Sequence, residues 1–532
     1  MTATIPTTIL RNAKFNLYGR LWSIALGLIL TPYIVHRLGV ELFGVWAIIM
    51  VITGFFGLLD CGAATSFIKF IAEFQAKNEH AKINQLINTG IIFYFLLSVL
   101  VLLLFTPCIR QIFAFLNIPL SATGEITRAL YWAIATFCLN NIFSPLFSLQ
   151  PGLQRMDISN KVNILFSIPS ALGTVFFLEK GYGLLGLVYN NLVITFLTIA
   201  LNCFIAYRIF PRLRLHPSLA SIRMGKKIWG YGYKLQVAHI SSQVSQQIDK
   251  VILSHFLSIG AVSFYQLGGF VIDHLRSLVL LIFTPIMPAF AKIEATGNRE
   301  AFLYGYTLGT KYLAMLVMPL FAFIMITAPQ LMAAWMGNGY GDSAFVVVIL
   351  GLGYLFAVLS GLRSMALQAT GQTHIEMWAG IMAMVLNVPL SLILVLLFGF
   401  YGVAIGTAVS LFFSAWYGIV AFHRTIDLPV GSFLKRTVLT TTIITVALAC
   451  LLLLFTHILR PVLHPTDRWG NLLLLMAQAL FFAMSYLTTL YFTKPLVYAE
   501  VAIFLDGKSP LAGNFIRRFS KNPSSQIAEG AS

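Results

Sequence analysis

One short segment of the chain concentrates charged and hydrogen-bonding side chains where the surrounding sequence is apolar. Residues 234–250, KLQVAHISSQVSQQIDK, include two lysines, a histidine, an aspartate and a series of serines and glutamines. The protein as a whole is 58% hydrophobic and only 10% charged. Unmatched polar groups are costly in lipid, so these side chains need partners within the protein or a water-filled cavity.

Helical spacing sorts this segment into two adjacent polar faces. One face contains Lys234, Ser241, Ser245 and Asp249. The neighbouring face contains Gln236, Gln243, Gln247 and Lys250. A helix with so broad a polar side is predicted to line a cavity or to pack in a polar bundle interior. The alternative is an interfacial helix that lies in the headgroup layer.

Basic residues outnumber acids within the predicted membrane spans. The basic residues are Arg20, Arg128, Lys234, Lys250, Arg276 and Lys311, and the acids are Asp60, Asp249 and Asp273. Each such charge costs about 2.5–3.5 kcal/mol at a helix centre, so it normally faces a partner or a cavity. Asp273 and Arg276, three residues apart, can neutralise each other, although a direct role in substrate binding stays open. Arg128 lies near a span boundary and is predicted to extend toward the interface.

Long apolar runs define the elements that must position these groups. The mean hydropathy is +0.85 over 532 residues, which is typical of a protein that crosses the membrane many times. The predicted fold class is an all-α polytopic membrane protein with about fourteen transmembrane helices. The predicted spans are 16–35, 43–68, 84–105, 127–149, 162–178, 184–207, 231–256, 264–290, 305–327, 344–362, 376–398, 402–423, 437–457 and 472–492.

An internal repeat predicts two lobes in the same orientation. At an offset of 219 residues, HRLGVELFGVW (36–46) aligns with HFLSIGAVSFY (255–265), and His239 corresponds to Arg20. LQPGLQ (149–154) aligns with LQATGQ (367–372) at offset 218. The predicted divisions are an N-lobe of helices 1–6 (1–207), a basic cytoplasmic linker (208–230), a C-lobe of helices 7–12 (231–423), helices 13 and 14 (424–492) and a cytoplasmic tail (493–532).

The distribution of basic residues predicts the orientation. With both termini in the cytoplasm, 24 lysines and arginines lie in inside loops and tails and five lie outside. This asymmetry follows the positive-inside rule and accounts for the net charge of +17 without nucleic acid, although lipid headgroup recognition by the linker stays open. Five cysteines show no CxxC pair or metal spacing, so neither a cofactor nor a metal is predicted.

The segment PYIVHRLGVELFGVWAIIMVITGFFGLLDCGAATSFIKFIAEF (32–74) resembles the opening signature of the polysaccharide-biosynthesis exporters, which include lipid-linked oligosaccharide flippases. They belong to the multidrug/oligosaccharidyl-lipid/polysaccharide exporter superfamily. The residues that carry the resemblance are Leu38, Gly39, Phe43, Gly44, Asp60, Gly62 and Lys69. QQIDKVILSHFL (246–257) with Tyr265 is similar to the family's seventh-helix signature. Lys69 stands where arginine is more usual, and Ser258-Ile259-Gly260 departs from the expected Leu-Gly turn.

The resemblance implies a transporter that moves a polyprenyl-pyrophosphate-linked oligosaccharide across the cytoplasmic (inner) membrane by alternating access. The end product would be O-antigen, capsule or exopolysaccharide, and the implied partners are membrane lipids, a polysaccharide polymerase and glycosyltransferases. The predicted substrate-binding residues are Arg20, Lys69, Lys234, His239, Ser241, Gln243, Ser245, Gln247, Arg276 and Lys311. Residues predicted for ion coupling or salt bridges are Asp60, Asp249 and Asp273.

Two other functions stay open at this point. A cation-coupled multidrug antiporter of the same superfamily would favour embedded carboxylates, and the excess of basic residues argues against it. A membrane glycosyltransferase or ligase would need a catalytic acid or base and a substantial outer loop. No predicted outside loop exceeds about twenty residues, so we expect a protein that is not an enzyme.

Overall fold

The computed structural model describes residues 7–60, 62–118, 123–283, 286–463 and 467–492. Within these ranges it does not describe the side chains of 7–18, 123, 231–235, 237–239, 242, 281–283, 286–289, 292 and 462. The described main chain is almost entirely helical, and no strand occurs in it. A helix satisfies its own backbone hydrogen bonds, which is what continuous apolar runs require in lipid. The predicted tail, 493–532, lies outside the described residues.

Contacts divide the chain into two compact units, and the boundary between them in the sequence follows Gln266. The first unit, residues 8–266, has nine α-helices among its described residues. They are α1 (Thr7–Phe56), α2 (Ala63–Ala76), α3 (His80–Phe105), α4 (Ile109–Phe115), α5 (Thr123–Phe147), α6 (Leu149–Gly152), α7 (Met156–Glu179), α8 (Gly183–Ile209) and α9 (Ile222–Phe256). Helix α10 (Ile259–Phe283) passes from this unit into the next.

The second unit, residues 267–532 with 1–7, contains the remaining helices of the described chain. They are α11 (Ile286–Ala295), α12 (Arg299–Ile326), α13 (Ala328–Trp335), α14 (Gly341–Leu359), α15 (Gly361–Ala369), α16 (Thr373–Phe398), α17 (Phe400–Thr425), α18 (Val430–Leu434), α19 (Thr440–Leu463) and α20 (Arg468–Phe492). A π-helical turn, Lys435–Leu439, joins α18 to α19. The lobe boundaries predicted from the internal repeat stay a prediction, because units defined by spatial contacts need not coincide with units defined by sequence repetition.

Eleven helical stretches of the described chain are long and apolar enough to cross a membrane, which confirms the multi-pass helical fold. The number fourteen is not confirmed. The first two predicted spans begin in the two helical segments of α1, which are separated by a kink at Gly39, at φ +81° and ψ 165°. Glycine adopts this backbone conformation at little cost, so one helical segment ends there and the next begins. The polar helix α9 is not among the eleven, and it begins at Ile222, well before the predicted start of its span at 231.

Helix α9 is held in the first unit by its N-terminal half. Met224 and Ile228 are buried in a hydrophobic cluster with residues of α2 and α3. The buried Ser66 hydroxyl on α2 donates a hydrogen bond to the Ile228 carbonyl at 3.2 Å. Gly90 on α3 lets the Phe67 ring approach so closely that a Cβ at this position would overlap the ring. This packing fixes the first turns of α9, from which the polar segment continues.

Candidate functional site

The two predicted polar faces of α9 have different environments. Ser241, Ser245 and Asp249 are buried, with Asp249 only 2% exposed. Gln243, Gln247 and Lys250 on the neighbouring face are half-buried, and the Lys250 ammonium donates to the Gln247 side-chain oxygen at 2.9 Å. The serine and aspartate face is therefore packed into the protein. The glutamine and lysine face is the part of the segment with more access to a ligand.

Asp249 is fixed by the helix that follows. The buried hydroxyl of Tyr265, on α10, donates a hydrogen bond to the Asp249 carboxylate. The position of α10 depends in turn on α1, where a Cβ at Gly44 would collide with the Ile259 carbonyl oxygen. The Ser263 hydroxyl also donates to the Val40 carbonyl. Gly44 is thus needed for the close approach of two helices, which explains its place in the sequence pattern.

Asp60 stabilises the break between α1 and α2. Its carboxylate accepts hydrogen bonds from the Tyr94 hydroxyl and, at 3.2 Å, from the Ala64 backbone N–H in the first turn of α2. The nearby Gln236 amide, on α9, donates to the Leu58 carbonyl. A carboxylate at a helix N-terminus satisfies an otherwise unpaired N–H group and interacts favourably with the helix dipole. These contacts describe a structural role for Asp60, and a role in ion coupling stays a prediction.

Two of the cations predicted in the first unit have described side chains. Arg20 on α1 and Lys69 on α2 are both exposed, and the Lys69 ammonium lies 5.3 Å from the Phe70 ring centroid. The side chains of Lys234 and His239 lie outside the described residues. The predicted correspondence between His239 and Arg20 therefore remains a prediction.

In the second unit, one predicted cation is paired. The Arg276 guanidinium lies 3.6 Å from the Asp273 carboxylate on the same helix, as the spacing of three residues predicts. It also lies 4.8 Å from the Tyr354 ring centroid, within the range of a cation–π contact. Arg276 therefore has its charge balanced locally, and its predicted role in substrate binding is not tested by these contacts.

Lys311 differs from Arg276. It is half-buried in α12, a candidate membrane span, and makes no ion pair or hydrogen bond with any residue that the structure describes. The hydroxyl of the adjacent Tyr312 is buried and also has no partner in the described chain. An unpaired ammonium at this position is costly unless water or a ligand compensates it. Lys311 is therefore the strongest candidate in this unit for contact with an anion.

Sequence reasoning missed a second embedded arginine. Arg363 on α15 is 4% exposed and donates to Glu376 on α16 at 2.8 Å, while the Ser364 hydroxyl donates to the same carboxylate at 2.8 Å. The guanidinium packs so tightly on Gly418 that a Cβ there would overlap it. The predicted span ends at Leu362, which leaves Arg363 outside it. The missed signal is that Arg363 and Glu376 flank a turn at Gly371, which has φ +73°.

Most embedded carboxylates that the structure describes are thus engaged by other side chains. Asp60 and Asp249 accept hydrogen bonds from tyrosines, and Asp273 and Glu376 pair with arginines. In the described part of the chain, no group of three or more His, Cys, Asp or Glu side chains could hold a metal ion. The chemistry that this arrangement supports is non-covalent recognition of an anionic, hydrogen-bonding ligand.

Comparison with known sequences adds two findings. The family described as polysaccharide biosynthesis protein matches residues 9–294, which is more than half of the chain. A Shigella flexneri protein whose name describes an O-antigen transporter is 21% identical over 414 residues, covering 77% of this chain and 96% of that protein.

Two solved structures show the same fold. The lipid II flippase MurJ in an inward closed conformation superposes with a TM-score of 0.70 at 15% identity, covering 91% of this chain and 99% of that chain. An inward-facing multidrug resistance transporter of the MATE family, from the MOP superfamily, gives a TM-score of 0.66 at 17% identity, covering 77% and 94%. At these identities the similarity establishes the fold alone.

Proposed function

This chain belongs to the polysaccharide biosynthesis protein family, and from that premise we propose that it is a flippase for polyprenyl-pyrophosphate-linked oligosaccharide in surface polysaccharide synthesis. The name of the Shigella flexneri relative, which describes O-antigen transport, supports this substrate class. The fold shared with MurJ, which is described as a lipid II flippase, is consistent with transport of a lipid.

The observation that carries the proposal is the balance of embedded charges. The carboxylates Asp60, Asp249 and Asp273 already have partners in the structure. Lys311, in contrast, has none among the described residues. A pyrophosphate is a strong anion, and a cation in a low-dielectric environment attracts it more strongly than in water. The amides of Gln243 and Gln247 on α9 are suited to hydrogen-bond the hydroxyl groups of a glycan.

The fold shared with the MATE transporter favours a cation-coupled antiporter as the second candidate. Such a protein would use an embedded carboxylate to bind a cationic substrate or a coupling ion. Because Asp60 caps α2 and Asp249 is bonded to Tyr265, neither is placed as an uncommitted acid. A glycosyltransferase receives less support, because the relative and one solved structure are named as transporters and the other solved structure is named as a flippase.

The proposal extends to topology and partners. We place the protein in the cytoplasmic membrane with both termini in the cytoplasm, on the basis of the 24 inside and five outside basic residues. Glycosyltransferases would supply the lipid-linked oligosaccharide on that side. A polysaccharide polymerase would consume it on the other side.

Ligand-induced stabilisation of the purified protein tests the substrate class. A ligand at about a hundred times its Kd stabilises the folded state by about 2.7 kcal/mol, which raises the unfolding temperature measurably. Polyprenyl-pyrophosphate-oligosaccharide should raise the unfolding temperature of the wild type, and the corresponding monophosphate lipid should raise it less. A lipophilic cationic drug should have no effect. Stabilisation by the drug and not by the pyrophosphate lipid would instead support the antiporter.

A further inference from the structure

Two asparagines of α3 hold the backbone of the segment between α8 and α9 in place. The Asn84 amide donates to the Arg212 carbonyl at 2.9 Å, and its oxygen accepts from the Arg214 N–H at 3.0 Å. One turn later, Asn88 donates to the Arg214 carbonyl at 2.7 Å and accepts from the His216 N–H at 2.9 Å. Both asparagines are buried. Each side-chain amide thus substitutes for a residue of a neighbouring strand.

The far end of the segment is fixed in the same way. The Thr89 hydroxyl, also on α3, accepts a hydrogen bond from the Ser221 N–H at 3.0 Å, immediately before α9 begins. Between these points, His216 accepts from the Ser218 N–H and closes a short turn at Pro217–Leu219. The segment is therefore anchored at both ends, and its backbone has a defined position.

This anchoring leaves basic side chains exposed on the protein surface. Leu213 is buried in the hydrophobic cluster, and its neighbours Arg212 and Arg214 are not part of that cluster. Both arginines are exposed, as are Arg223 and Lys226 in the first turns of α9. We call Arg212, Arg214, Arg223 and Lys226 the basic linker surface. Residues 208–230 contain no aspartate or glutamate that could neutralise it.

The basic linker surface lies where lipid headgroups are expected. The segment follows directly from Ile209, the last residue of the candidate membrane span α8, so it emerges at the membrane boundary. Exposed apolar and aromatic side chains flank it, with Ile222 84% exposed, Trp229 54% and Tyr207 47%. Tryptophan and tyrosine favour the headgroup level, and clusters of basic residues beside a membrane helix attract anionic lipids.

We propose that the basic linker surface is a binding site for the anionic phospholipids of the surrounding bilayer. The hydrogen bonds with Asn84, Asn88 and Thr89 fix the backbone that carries these cations before a lipid binds, so less backbone ordering entropy is lost on binding. The site is separate from the transported substrate, because bilayer phospholipids are present whether or not a lipid-linked glycan is being moved. Its existence therefore does not depend on the proposed function.

Fluorescence quenching at Trp229 measures this binding in the full-length protein. The protein is reconstituted in phosphatidylcholine vesicles that contain either brominated phosphatidylglycerol or brominated phosphatidylcholine and no lipid-linked glycan. The chain has eight tryptophans. The Trp229→Phe variant lacks the fluorescence of Trp229, so the difference between the wild-type signal and the variant signal reports on this tryptophan alone. We expect stronger quenching by the anionic lipid and loss of the difference at high salt, because screening weakens exposed charges.

Two variants separate charge from anchoring. Replacing Arg212, Arg214 and Arg223 together by alanine should lower the preference for the anionic lipid about tenfold or more, since each basic residue near the surface contributes. Replacing Asn84 and Asn88 by alanine keeps every cation and should lower the preference by a smaller factor. A matched control, alanine at Arg110, Lys180 and Arg460, removes the same charge elsewhere and should leave it unchanged.

Two results would overturn the proposal. The first is equal quenching of wild-type Trp229 by both brominated lipids. The basic linker surface would then bind an acidic protein partner or only fix the orientation of the protein in the membrane. The second is an unchanged lipid preference in the triple arginine variant with an unfolding temperature equal to that of the wild type.

Discussion

The Tyr265 hydroxyl donates a hydrogen bond to the carboxylate of Asp249, and both side chains are buried. The two residues lie on consecutive helices, α9 and α10, so the bond joins the end of the polar helix to the helix that follows. A hydrogen bond to a buried charged group contributes more to stability than one between neutral groups. This relationship gives Asp249 a structural role that the sequence pattern alone does not reveal.

Removing the Tyr265 hydroxyl should destabilise the protein. Tyr265→Phe keeps the ring and deletes a hydrogen bond to a charged group, so we expect a loss of about 1.5–3 kcal/mol in the free energy of unfolding. Tyr401→Phe is the matched control, because the Tyr401 hydroxyl bonds to Asp342 in an exposed pair. Denaturation of both variants in the same detergent measures the difference. Equal losses would contradict a special role for the buried pair.

Asp249→Asn tests ion coupling. The asparagine side-chain oxygen can still accept a hydrogen bond from Tyr265, so the variant should fold. The transport rate should stay within about twofold of the wild type, which corresponds to a change of less than about 0.5 kcal/mol in the activation free energy. Transport in vesicles is measured across a range of pH and sodium concentration. If the wild type depends on one of these ions and the variant loses that dependence, Asp249 binds the coupling ion instead.

Lys311 should contribute to substrate recognition through its charge. Lys311→Ala removes a charge-assisted contact to the pyrophosphate, so transport should fall by about 10–100-fold, which corresponds to about 1.5–3 kcal/mol. Lys311→Arg keeps the charge and should retain most of the activity. Lys180→Ala, at an exposed site beyond the end of α7, is the control and should have no effect. Full transport by Lys311→Ala at normal expression would remove Lys311 from the substrate site.

The environment of Glu73 predicts that the stability of the folded protein depends on pH. A hydrogen bond from Lys77 lowers the pKa of Glu73, and Lys227 lies 3.8 Å away. Because the folded pKa is depressed, its stabilising contribution is complete above the unfolded pKa of about 4.3 and is lost as the pH falls through the folded pKa. Glu73→Gln should therefore lower the unfolding temperature slightly at neutral pH and not in acid. A difference that persists in acid would contradict this assignment.

The helical architecture could be predicted from the sequence because it follows from long apolar runs. The family resemblance was carried by residues such as Gly44, whose lack of a side chain allows α1 and α10 to approach each other. The environment of Asp249 could not be predicted, since it depends on a tyrosine brought close by the fold. Arg363 was missed because a charged residue ends an apolar run, and only the structure shows Glu376 beside it.

Transport by the purified protein tests the central claim most directly. The full-length chain is reconstituted in vesicles with a fluorescent polyprenyl-pyrophosphate-oligosaccharide, and an impermeant reagent reports the fraction of glycan exposed on the outer face over time. We predict rapid exchange of this lipid between leaflets, slower exchange in the Lys311→Ala variant, and no movement of a lipophilic cationic dye. Movement of the dye without exchange of the lipid-linked glycan would contradict the proposed function.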